Sequence, residues 1–165
     1  MAKTDAMDMK ILLNLQKNAR ITNIELSREI GLSPAPTLER VKKLEKMNII
    51  EGYHASLNAS RLNLGVSFIV QISLKNQTEE DLANFRKHIK KLPQIMDCYQ
   101  VTGIADFILK VVAKDIPSFE RLILKDISRL SEVKNIQSTL ILSEVKKSHI
   151  LPLTYGEDTA EENEH

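Results

Sequence analysis

Near residue 60 the apolar residues change their spacing, and that change limits the fold more than any single motif does. Up to Lys46 they recur every three to four residues, the period of a helix with one buried face. From Ser67 they begin to alternate: "SFIVQISLK" puts Phe68, Val70, Ile72 and Leu74 on one side of a strand. At 165 residues the chain is long enough for one large domain or two small ones. The two periods favour two: a helical unit followed by a mixed α and β unit.

In the helical part, "DMKILLNLQKN" (8–18) aligns Ile11, Leu12 and Leu15 on one face. In "ITNIELSREIGLS", Thr22 and Glu25 have capping-box spacing, and Leu26 and Ile30 supply a buried edge. Gly31 is suited to the left-handed turn that ends a helix. "GLSPAPTLERVKKLE" then starts a new helix with Ser33 as cap, Pro34 at the first helical position, and Leu38, Val41 and Leu44 as the apolar stripe. Two short helices joined by a glycine turn and braced by a first helix make a helix-turn-helix. "NIIEGYHASLN" carries Ile49, Ile50, Tyr53 and Leu57 around Gly52, the pattern of a small hairpin or wing.

The helix from Ser33 carries four basic and two acidic residues, and its stripe leaves Arg40, Lys42, Lys43 and Lys46 without a task in the core. A recognition helix needs small or polar residues at the end that enters the major groove, and basic ones placed for phosphates. Ser33, Pro34, Ala35, Pro36 and Thr37 form that end, with Ala35 and Thr37 expected at base edges. Arg40 and Lys43 are expected at phosphates, and Glu39 and Lys42 complete the outward face. His54 is either a phosphate contact from the wing or a solvated residue. A helix pair that never touches nucleic acid is the alternative for the whole unit.

Beyond the polar connector the order is strand, "TEEDLANFRKHIKKLP" as a helix capped by Thr78, "IMDCYQVTG" and "DFILKVVAK" as strands, "IPSFERLILKDISRL" as a helix, and "VKNIQSTLILSEVKK" as a last strand. The inner sides of the helices are Leu82, Phe85, Ile89 and Leu92 in the first, and Phe119, Leu122, Ile123, Ile127 and Leu130 in the second. This βαββαβ order is the ferredoxin-like arrangement, a sheet with two helices on one face. The fold class is therefore α+β. Its parts are a winged helix-turn-helix over 1–57, a linker over 58–65, a ferredoxin-like domain over 66–155 and an acidic, disordered tail over 156–165.

Net charge is +1, but the last ten residues hold five acids and no Lys or Arg. Without them 23 basic residues face 17 acidic ones, so the folded part is moderately basic. One cysteine, Cys98, rules out an internal disulfide and any multi-cysteine metal site, and its apolar strand suggests a small core residue. The four histidines lie in different elements with no spacing for metal ligands or a triad, so neither an enzyme nor a metal site is expected. With no apolar run of membrane length and no signal peptide, a cytoplasmic protein with no membrane partner is expected.

"LQKNARITNIELSREIGLSPAPTLERVKKLEKMNIIEGY" resembles the DNA-binding half of the Lrp/AsnC, or feast/famine, regulators. The later unit, with "VTGIADFILKV" and "STLILSEVKK", is similar to that family's amino-acid-sensing domain, so the resemblance covers residues 5–150. It implies a transcription regulator acting on double-stranded DNA, dimerising through its sheets and often assembling into octamers. It also implies an effector, usually an amino acid, near the loop between the second and third strands, and no other cofactor. Matched residue by residue, that places the effector at Thr102, Gly103, Ile104, Ala105 and Asp106, with Ile136 and Ser138 from the last strand.

Two departures stand out. Ile104 follows the motif glycine where the family commonly has an acid, and Ile136, Gln137 and Ser138 replace its frequent Thr-x-Thr. Backbone N–H groups near Gly103 can hold a ligand carboxylate, Asp106 its ammonium, and Ser138 can offer a hydroxyl. The isoleucines favour an aliphatic effector, leucine or methionine. Alternatively the loop is a tight turn in which Asp106 only accepts backbone hydrogen bonds. A constitutive DNA-binding architectural protein, or a ligand-sensing module without specific DNA binding, are the competing functions.

Overall fold

A computed structural model of the chain describes residues 4–153. It divides into two units. Residues 57–145 form one, and the described residues on either side, 4–56 and 146–153, form the other. The boundary expected at 155 thus falls near 145, and the segment expected as a linker belongs to the sheet unit, where Ser60–Leu62 form a 3-10 turn. The acidic stretch 156–165 lies outside the described residues.

In the first unit, α1 spans Ala6–Lys17, α2 Asn23–Ile30 and α3 Pro34–Lys46. Asp5 caps α1 and forms a capping box with Asp8; Thr22 does the same for α2 with Glu25. The two hydrogen bonds from Thr22 hold the Glu25 carboxyl below its ordinary pKa. Gly31, at φ +75°, closes α2 in the left-handed conformation that side chains resist. Ile11, Leu26, Ile30 and Leu44 form the core, with Leu12, Leu15, Ile21, Leu32, Val41, Ile49 and Ile50 packed around it.

The apolar stripe of α3 differs from its expected form. Thr37 is buried and Leu38 is exposed. At 3.6 residues per turn Leu38 stands about 120° from Leu44, whereas Thr37, Val41 and Leu44 fall within about 60° of one another. Burying Thr37 is tolerated because its hydroxyl donates to the Ser33 carbonyl at 2.9 Å. Residues 51–58, expected in a wing hairpin, form no helix or strand. Tyr53 ties this segment to α3 by donating its hydroxyl to Glu45 Oε1 at 2.9 Å. Partial burial and that carboxylate push the phenol up to about 12.

The second unit is a four-stranded antiparallel sheet in the order β2-β3-β1-β4. Its strands are β1 Val66–Leu74, β2 Ile95–Gln100, β3 Phe107–Ala113 and β4 Val133–Leu140. Register sets Val70 opposite Leu109 on one side and Ser138 on the other. Phe68, Val70, Ile72 and Leu74 join Phe107, Leu109, Val111 and Ala113 on one buried face. That face is covered by α4, Glu79–Ile89, and by α5, Ile116–Leu122, which runs on into a π turn over Ile123–Ile127. Phe119 stacks on Phe68 at 3.6 Å and Phe85 tilts against Phe107 at 4.6 Å, measured between ring centroids. The last strand stops at Leu140, short of the expected reach to Lys147. Cys98 is exposed rather than in the core, because β2 is an edge strand with a neighbour on one side only.

Candidate nucleic-acid interface and effector site

Asn23, in the first turn of α2, donates to the Pro34 carbonyl at 2.8 Å and so fixes the start of α3. Pro34 and Pro36 lack N–H groups where a helix has no use for them. Ser33, Pro34, Ala35, Pro36, Leu38, Glu39 and Lys42 are exposed along the first three turns. Thr37, expected among them, is not available to a partner. Ser33 starts the helix without a side-chain capping bond. His54 is exposed, its ring folded over Gly52, where a β-carbon would lie 2.9 Å from Nε2.

The basic residues of α3 are less free than the sequence suggests. Arg40 Nη1 lies 2.6 Å from Asp5 Oδ2 and 2.8 Å from Asp8 Oδ1, and Lys43 Nζ lies 3.1 Å from Asp8 Oδ2. The Asp8 side chain is fully buried. Burial alone would raise its pKa, but the hydrogen bonds from Arg40, Lys43 and the Asp5 N–H outweigh it and hold the carboxyl below the ordinary value. The Arg40 guanidinium likewise lowers Asp5 and is itself raised by both acids. The expectation that Arg40 and Lys43 have no part in holding the unit together is therefore corrected. They neutralise a buried charge. Lys42 pairs loosely with Glu39 at 3.5 Å, both exposed, and Lys46 is exposed with no carboxylate partner among the described residues.

In the sheet unit, the loop after β2 is pinned by Asp106. Its N–H donates to the Ile72 carbonyl at 2.8 Å, and its carbonyl accepts from the Val101 N–H at 3.0 Å. Asp106 Oδ2 accepts the Leu74 N–H and Oδ1 accepts Gln77 Nε2, both at 2.7 Å. The β1–β3 pairing ends at Ile72 and Phe107, so the carboxylate supplies Leu74 with the acceptor that the strand no longer offers. Ser73 Oγ donates to the Ile104 carbonyl at 3.1 Å.

A shallow depression opens here, lined by Ser73, Leu74, Gln77, Ile104, Asp106, Lys134 and Asn135. Of the residues expected at an effector, it brings together Ile104 and Asp106 only. Ile104 is 99% exposed. Thr102 and Gly103 are exposed in the same loop, Gly103 at φ +123°, and Ala105 is buried. Ile136 packs against the sheet core, and Ser138 is exposed on β4 opposite Val70. Lys134, Asn135 and Gln77 had no sequence signal: each reads as an ordinary polar residue until the sheet brings its neighbours together. Among the described residues no group of three or more His, Cys, Asp or Glu is placed to hold a metal, and no helix is long and apolar enough to cross a membrane.

Comparison with known proteins agrees with both halves. Residues 4–51 match the winged helix-turn-helix DNA-binding family. Residues 67–151 match the Lrp/AsnC ligand binding domain, whose span takes in the Asp106 loop and β4. The chain belongs to the Lrp/AsnC family. A leucine-responsive regulatory protein from Haemophilus influenzae is 39% identical over 149 residues, 90% of each chain. The Bkd operon transcriptional regulator of Pseudomonas aeruginosa is 38% identical and is covered over its whole length by 93% of this chain. Among solved structures, a transcriptional regulator from Neisseria meningitidis in complex with L-methionine matches with a TM-score of 0.86 at 33% identity, over 91% of this chain and 97% of that one. As an Lrp/AsnC member, this chain is a DNA-binding transcription regulator with an amino-acid-binding domain. The first unit supplies the DNA-binding part and the sheet unit the ligand-binding part.

Proposed function

We propose that the DNA binding of this regulator responds to an aliphatic amino acid, leucine or methionine being favoured, and that it works in the cytoplasm as an assembly of dimers, up to an octamer. One observation carries the reading: a carboxylate, a lysine and an exposed isoleucine share one depression. Asp106 retains free lone pairs for an ammonium group beside its two accepted N–H bonds. Lys134 suits the carboxylate of a zwitterion, and Ile104 suits an apolar side chain. The relatives point the same way, one being named leucine-responsive and another having been solved with methionine. The effector acts by binding one arrangement of dimers better than another, which shifts the population between them. Ala35, Leu38 and Lys42 then stand where α3 would meet DNA.

Calorimetry on the full chain tests the effector. Leucine or methionine should give a saturable heat, and asparagine and glutamine should bind more weakly, since they gain less apolar contact against Ile104. Equal binding of all four would remove the aliphatic preference. No heat with any, and no change in assembly by light scattering, would favour the constitutive architectural protein.

A further inference from the structure

Arg40 joins α3 to the start of α1 through two carboxylates that differ in one decisive way. Asp8 has no solvent exposure, whereas the Asp5 side chain is 52% exposed and that of Arg40 is 31% exposed. Taking the cations from Asp8 would strand a buried charge, so that contact is permanent in the folded unit. Asp5 is exchangeable. Its Oδ2 shares Arg40 Nη1 with Asp8 Oδ1, in a shallow depression beside α3 formed with Pro36, Glu39 and Lys43. A DNA phosphate oxygen presents to Arg40 the same chemistry as Asp5 Oδ2, an anionic acceptor for a charged N–H donor.

We infer that Asp5 limits the affinity of this regulator for DNA by competing, as an exposed anion, with a backbone phosphate for Arg40. Because phosphate contacts carry no sequence information, holding Arg40 back lowers binding to any DNA and leaves discrimination to the exposed start of α3. The inference rests on α3 being the helix that meets DNA.

Asp5→Asn is a clean test. Asparagine caps a helix as well as aspartate, so its oxygen can keep the bond from the Asp8 N–H, now 2.9 Å, while the charge facing Arg40 is lost. Binding to a mixed-sequence duplex is measured by fluorescence anisotropy across a salt series. Asp5→Asn should bind about three- to fivefold more tightly near 0.1 M salt, with a log–log salt slope steeper by about 0.9, one added phosphate. Glu29→Gln removes the same charge from α2, where Glu29 makes no ion pair among the described residues, and should leave the slope unchanged. Asp5→Ser, which can cap but is too short for Arg40, should behave like Asp5→Asn. An unchanged slope in both Asp5 variants, or a gain no larger than that of Glu29→Gln, would overturn the inference. Lys42→Ala should weaken binding in parallel; if Lys42→Ala and the Asp5 variants all leave binding unchanged, the placement of α3 at DNA falls as well.

Discussion

Arg40→Ala is expected to destabilise the helical unit by about 2 kcal/mol, measured by thermal or denaturant melts, before any effect on DNA is considered. Removing one partner of a buried pair costs roughly 3–5 kcal/mol; here Lys43 remains on Asp8 and Arg40 is itself partly solvated, so the loss is smaller. Its pH dependence is diagnostic. In the native chain the Asp5 and Asp8 carboxyls lie below their ordinary value of 3.8, so their contribution is present above that pH and fades as pH falls through the folded values. Without Arg40, Asp8 keeps Lys43 and the Asp5 N–H but loses one of the hydrogen bonds that offset its burial, so its charged form is less well stabilised. The deficit of Arg40→Ala should therefore be full above the ordinary carboxylate value and shrink as pH falls through the lowered native values of Asp5 and Asp8. A deficit independent of pH would mean that Arg40 acts by packing alone.

Asp106 should show two separable roles. Asp106→Ala leaves the Leu74 N–H without its acceptor, which costs about 1–3 kcal/mol and loosens the loop after β2. Asp106→Asn keeps an acceptor for Leu74, and the Gln77 amide can turn to present its oxygen. The asparagine variant should hold its melting temperature within a few degrees yet bind leucine or methionine at least about tenfold more weakly, having lost the charge opposite the ammonium. Unaltered amino-acid affinity in Asp106→Asn would leave Asp106 as a loop staple only. Asp106 accepts backbone and side-chain N–H groups, and Asp106→Asn tests whether it holds an amino acid as well.

What the sequence makes legible is local. The Thr22–Glu25 box and the Gly31 stop follow from short-range hydrogen bonding and backbone sterics. The alternation in β1 reports a strand with one buried face. What it hides depends on partners distant along the chain. Arg40 looks surplus to the core because Asp8, 32 residues earlier, cannot be seen to need it. Thr37 is passed over because a hydroxyl reads as polar, although the Ser33 carbonyl satisfies it within one turn. Cys98 sits in an apolar run whose outer edge lacks a neighbour. The residues past Leu140 look like strand, but after Ile141, whose N–H still reaches the Ser67 carbonyl, the ladder does not continue. Gln77, Lys134 and Asn135 become a set only when the β1 end, the following loop and β4 converge.

The most direct measurement is binding of the full-length protein to its own promoter, followed by anisotropy with and without saturating leucine or methionine, against a mixed-sequence duplex of equal length. The expected result is at least tenfold preference for the promoter, with the amino acid changing promoter affinity or stoichiometry by about fivefold or more, the scale of an ordinary coupling free energy. Equal affinity for both duplexes, unchanged by either amino acid, would contradict an amino-acid-responsive regulator.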